Sequence, residues 1–177
     1  MNLAKLFDEQ RELGKVGLFA YKGEDRFDKL VLALLVELGE CANEWRGFKF
    51  WSKDQEPRTK GEWIKSKGIE NGKFVDVYEN PLLEEYVDGL HFVLELGIEL
   101  GKEYSYVTRI KKEKTVTEQF KRVYNAVLCV DTSEMFYLEL LEDYLGLGEM
   151  LGFTWEQIEQ AYMDKNKVNH QRQEQGY

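Results

Sequence analysis

The stretch LVLALLVELGECANEW, residues 30 to 45 of the 177-residue chain, decides the fold. It opens on an unbroken apolar run from Leu30 to Val36, and acids then recur at Glu37, Glu40 and Glu44. The run is far shorter than the roughly 20 residues that cross a bilayer. Acids three and four positions apart share one face of a helix. The stretch therefore predicts a central, buried helix from about Phe27 to Trp45, apolar on nearly every side through Leu35 and acid-bearing beyond it. Two fates are open to those acids. Either burial ends after Val36 and they point into water, or they face inward among Leu38, Cys41, Ala42 and Trp45, where carboxylates without partners are costly.

Working outward, Leu3, Leu6, Phe7 and Leu13 fall at helical spacing, and Gly14 and Gly17 end that pattern. Gln10 lies on the apolar stripe, where the period calls for a core residue. Downstream, residues 49 to 80 shift to Lys, Glu, Gly and Asp with isolated Trp51, Trp63 and Phe74. A connection of that length is commonly functional or built from short strands, for which Lys73 to Tyr78 is a candidate, and it is expected to serve as a lid. A second strong helix is predicted from Leu82 to Glu99, with Leu83, Val87, Leu90, Leu94 and Ile98 on one face and Glu95 and Glu99 on a solvated acidic stripe. Charged residues 102 to 122 read as a polar helix or a connection. The period resumes with Phe136, Leu140, Leu141, Tyr144 and Leu147, and Thr154 followed by Gln157 has the form of a capping box opening a last helix toward Asn169. The phrases LELGIELG and LGLGEMLG, at 94 to 101 and 145 to 152, hint weakly at duplication. The expected architecture is an all-α bundle in one domain over residues 1 to 177, with a long polar insertion between its two acidic helices.

Composition narrows the class of function. A net charge of -9 disfavours binding to polymeric nucleic acid, which relies on a field of Lys and Arg. The opening residues mix charges every few positions, unlike a secretory signal, so a soluble, cytoplasmic protein is expected. Cys41 and Cys129 lack metal-type spacing and read as small core residues.

Glu85 and Asp88 repeat the three-residue spacing on the second strong helix, so two helices could present four carboxylates to each other across a bundle. By spacing alone Glu84 competes with Glu85 for that face. An all-oxygen set matches magnesium or manganese rather than zinc, because hard donors suit hard cations. Asp88 with His91 has the spacing of half a di-iron site, but the second half is missing, since His170 has Lys167 three positions earlier. On the last helix Lys165, Asn169 and Arg172 fall on one face suited to phosphate oxygens, with a plain solvated face as the competing reading.

Taken in order, Gln10 in FDEQREL, the pair in VELGECANEW, the pair in EEYVDGLHF and the terminal YMDKNKVNHQRQEQGY resemble the dimeric all-α dUTPase family, related to the MazG-like nucleotide pyrophosphohydrolases. The resemblance implies hydrolysis of dUTP, and of dUDP, to dUMP, limiting uracil in the nucleotide pool, by a homodimer. It makes Glu37, Glu40, Glu85 and Asp88 the magnesium ligands, choosing Glu85 over Glu84, with Glu37 or Glu40 orienting or deprotonating water. It assigns Gln10 to uracil, His91 and Phe92 to the nucleoside pocket, Trp51 to its closure, and Lys165, Asn169 and Arg172, with Asn166 and Tyr177, to the phosphate-binding tail. One departure stands out: Leu13 occupies a place where the family commonly has an asparagine that helps bind the nucleotide. It motivates an alternative, a related hydrolase of dCTP or a modified nucleotide. A noncatalytic helical interaction protein is the other alternative.

Overall fold

The computed structural model describes residues 2–15, 23, 25–59, 67–70, 73–76, 80–103, 107, 109–130 and 134–174. Among the described residues six helices follow in order: α1 (Leu3–Leu13), α2 (Arg26–Trp45), α3 (Pro81–Glu99), α4 (Val116–Cys129), α5 (Glu134–Met150) and α6 (Trp155–Glu174). A two-stranded antiparallel hairpin, β1 (Lys67–Glu70) and β2 (Lys73–Asp76), lies between α2 and α3 and pairs Lys67 with Asp76 and Glu70 with Lys73. The all-α expectation holds, and β2 falls where a strand was expected. Gly17, Trp63, Tyr78 and Tyr177 lie outside the described residues.

Local chemistry sets the helix starts. Asn80 accepts from the Leu83 amide at 3.1 Å ahead of Pro81, whose missing N–H is no loss at that position. Thr154 and Gln157 form the anticipated reciprocal box, at 2.9 and 3.3 Å. Thr115 and Glu118 make a similar start for α4, which the sequence reading had merged with the charged segment before it. Residues 109 to 115 are a connection, and helix begins only at Val116.

The central helix is α3, not α2. On α3 all residues from Gly89 to Gly97 except Phe92 are buried, and it packs against α1, α2, α5 and α6. On α2 the buried stripe is Leu30, Leu34, Leu38 and Cys41, a repeat of three and four, while Leu32 and Val36 are 62% and 50% exposed. A continuous apolar run thus suggests more burial of α2 than its packing against α3 and α4 provides. Cys41 is buried and Cys129 half-buried.

Glycine and tyrosine set the approach of α3 to α5. The Tyr144 hydroxyl donates to the Tyr86 carbonyl at 2.7 Å, and the Tyr86 hydroxyl donates to the Tyr144 carbonyl at 3.2 Å. Each hydroxyl lies against a glycine of the opposite helix, Gly89 and Gly148, where a Cβ would come within 2.2 and 2.5 Å of it. At the foot of the insertion, the Arg58 amide donates to the Glu44 carbonyl at 2.9 Å and the Leu82 amide donates to the Arg58 carbonyl at 3.1 Å. One residue therefore ties the end of α2 to the start of α3.

Candidate active site

α2 and α3 lie side by side and bring their acids together. Glu37 and Glu40 on α2 and Glu85 on α3 have carboxylate oxygens all within 4.8 Å of one another. Glu37 and Glu85 are half-buried and Glu40 is exposed. Burial, then the charges of Asp88 and Glu40, push Glu37 up to about 7. Burial, then Glu40, Asp88 and Glu37, push Glu85 to about 7 as well. Such crowding is unfavourable unless a cation relieves it, and three converging oxygen donors fit a hard divalent ion. The donor set contains no histidine, which disfavours the half di-iron reading; His91 instead turns Nδ1 toward Gln10 at 2.8 Å.

Asp88, one turn beyond Glu85, stands outside the converging trio. Its Oδ2 accepts from Lys165 Nζ at 2.6 Å, and Lys165 also reaches Glu84 at 3.1 Å. Burial raises the Asp88 carboxyl above its usual range against the pull of Lys165. Burial works to lower the Lys165 ammonium, but its bonds to Asp88 and Glu84 prevail and raise it.

Next to these acids a cavity of about 170 Å³ is lined by Glu37 and Asp88 on one side and by Lys165, Asn169 and Arg172 of α6 on the other. His91 and Phe92 complete its wall. The acids and the α6 cations, far apart in sequence, thus meet across one space. It has an acidic rim and a cationic face, an arrangement suited to an anion that arrives with a divalent cation.

Gln10 lies behind this wall. It is wholly buried, donates from Nε2 to Glu95 Oε2 at 2.7 Å, and accepts at Oε1 from the Tyr162 hydroxyl at 2.7 Å. Because Oε1 can only accept, the His91 nitrogen facing it, Nδ1, carries the proton. His91 stacks on Tyr162 with centroids 4.1 Å apart, and burial followed by the Lys165 charge lowers it to about 3, so the ring is neutral. Leu13 is also wholly buried, within the apolar core.

Trp51 does not line the cavity. It is 65% exposed on the segment after α2 and sits edge-on to Phe48 and Phe50. Asn166 turns to the buried face of α6 and reaches Glu9 at 3.4 Å, away from the Lys165, Asn169 and Arg172 face. The sequence reading missed Glu95 and Arg26. Glu95 is 3% exposed rather than part of a solvated stripe, and Arg26 pairs with both Glu95 and Glu99. The signal was the flanking sequence: Val93 and Leu94 on one side and Leu96 and Gly97 on the other leave little room for water.

These features define a class, an all-α bundle whose facing helices gather carboxylates beside a cationic cavity. The family described as dUTPase matches the chain over residues 2–65 and 73–177. The chain belongs to this all-α dUTPase family and is a nucleotide diphosphohydrolase. No curated protein matches the chain significantly. Among the described residues no helix is long and apolar enough to cross a membrane.

Proposed function

We propose that the protein hydrolyses dUTP, and dUDP, to dUMP in a magnesium-dependent reaction, with manganese as a substitute, and that it acts on the cytoplasmic nucleotide pool as a homodimer. The observation that carries this reading is the convergence of Glu37, Glu40 and Glu85 within 4.8 Å beside the α6 cations, in a chain of the dUTPase family. Glu37, Glu40 and Glu85 would hold the cation, joined by Asp88. A bound divalent ion lowers the pKa of coordinated water and offsets the charge of the polyphosphate. Glu37 or Glu40 would orient a water or accept its proton for in-line attack at the α phosphorus. The bond between the α phosphorus and the bridging oxygen breaks, and pyrophosphate leaves from dUTP. Lys165 and Arg172 offer donors to the phosphate oxygens, with Asn169 between them. His91 and Phe92 take the nucleoside, and Gln10 contributes from behind by fixing His91. The segment at 49 to 80 is the lid, with Trp51 the side chain that closes over the base.

A second reading concerns the base. Leu13 is fully buried and the Gln10 carboxamide is engaged with Glu95, His91 and Tyr162, so the described wall offers less to a uracil edge than the family pattern implies. That favours a related activity on dCTP or a modified nucleotide. Pyrophosphate release from a panel of deoxynucleoside triphosphates with magnesium decides between the two. dUTP is expected to turn over fastest, and equal or faster turnover of dCTP or dTTP would sink the dUTP assignment.

A further inference from the structure

Lys165 lies between two demands. It lines the cavity beside the carboxylates and also a second cavity, of about 310 Å³, bordered by Leu83, Val87, Ala161 and Val168 of α3 and α6. Its ammonium and the Asp88 carboxylate form a pair 2.6 Å apart whose side chains are only 16% and 20% exposed. Charges screened so little from each other interact more strongly than a surface pair. Meanwhile the converging oxygens belong to Glu37, Glu40 and Glu85, and Asp88 is not among them. The fourth acid is paired with the lysine instead.

An ammonium and a divalent cation on one carboxylate repel each other. If Asp88 is to join the other three acids, Lys165 has to move off it, and its charge then keeps only the exposed Glu84, 3.1 Å away, as a partner. A phosphate oxygen entering the same cavity is such an acceptor. We propose that Lys165 is a tethered counter-ion whose transfer from Asp88 to a phosphate oxygen couples divalent-cation binding to nucleotide binding. The proposal rests on the reading that the carboxylates take a cation and the α6 face takes phosphate. Its consequence is that cation and polyphosphate bind best together. Binding of the cation alone leaves Lys165 close to a like charge with only the exposed Glu84 as counter-ion, and binding of the nucleotide alone leaves the acids crowded. By linkage, each ligand strengthens the other by the same factor. Lys165 in this scheme touches the phosphate directly and acts on the cation only through Asp88.

Titration calorimetry at pH 8 on the full chain tests it, using magnesium alone, a nonhydrolysable dUTP analogue alone, and each in the presence of the other. The wild type is expected to show strong mutual enhancement. In Lys165→Met, Asp88 is free, so magnesium alone should bind about tenfold tighter, while the enhancement by the analogue should fall about tenfold. Lys165→Arg retains a cation that can exchange partners and should keep most of the enhancement. Circular dichroism checks the fold, and Lys165→Gln carries the same comparison if the methionine variant does not fold. Magnesium binding to the methionine variant that is unchanged or weaker, or enhancement equal to wild type, overturns the coupling and leaves the dUTPase reading standing. A wild type that binds neither magnesium nor the analogue overturns both.

Discussion

At the scale of single residues, the acids facing each other across α2 and α3 make stability depend on pH. Glu37 and Glu85 rise from an ordinary 4.5 to about 7 through burial first and neighbouring charge second. A folded-state value above the unfolded one means that between these limits the folded chain holds protons the unfolded chain has released. These two acids therefore cost the metal-free protein stability as the pH rises from about 4.5 through 7, outweighing the opposite gain, complete by about 6.5, from the single His91 held neutral in the fold. Excess magnesium, bound only where the acids are gathered, should reverse that loss. Melting temperatures in a chelator at pH 5 and pH 8, with and without magnesium, measure it, and a chelated protein that is more stable at pH 8 contradicts the crowding. Glu40→Gln should raise the metal-free melting temperature at pH 8 while abolishing turnover. The spacing of Glu37, Glu40, Glu85 and Asp88 was legible in the sequence; the choice of Glu85 over Glu84 was not. Residues one position apart differ by about 100° around a helix, which separates them clearly only when the neighbouring helix is known. Glu95 was misread for a related reason, since its counter-charge, Arg26, is 69 positions away in the chain.

Among elements, the crossing of α3 and α5 offers the clearest test. Gly89 and Gly148 admit the hydroxyls of Tyr144 and Tyr86, and Gly97 admits that of Tyr137, which donates to the Val93 carbonyl at 3.2 Å. Gly89→Ala should cost about 1–3 kcal/mol by overpacking, measured by urea unfolding. Tyr144→Phe combined with it should recover part of the loss, because the two changes share one contact and are not additive. An alanine variant as stable as wild type would show that α3 and α5 do not meet there. Five of the six helices were legible from period and caps. The missing one, α4, carries a Phe120, Val123 and Val127 stripe and a Thr115 to Glu118 start, but a dense run of Lys and Glu from 111 to 114 drew the reading toward one polar segment. Charge density alone does not say where a connection ends. An N-cap threonine does.

For the whole molecule, the homodimer remains to be tested, and the exposed apolar side chains indicate where to look. Leu32 and Val36 on α2, Leu128 on α4 and Met135 on α5 are 62%, 50%, 64% and 71% exposed. Isolated cases are ordinary on a surface, but two on one helical stripe justify targeting that stripe. Leu32→Asp with Val36→Asp is expected to convert a dimer into a monomer by light scattering, with the circular dichroism of the fold retained. A monomeric wild type would remove the dimer from the account.

The double tether at Arg58 also bears on how such a protein diversifies. Because that residue bonds both to Glu44 at the end of α2 and to Leu82 at the start of α3, the chain between Arg58 and Leu82 leaves and returns at nearly one point. The entropy of closing a loop grows only slowly with its length, so this loop can lengthen or shorten at small cost to the helices beneath. The family match breaks inside it, at residues 66 to 72. The carboxylates on α2 and α3 can thus stay fixed while the chain between Arg58 and Leu82 changes in length, so the two are free to evolve on separate clocks.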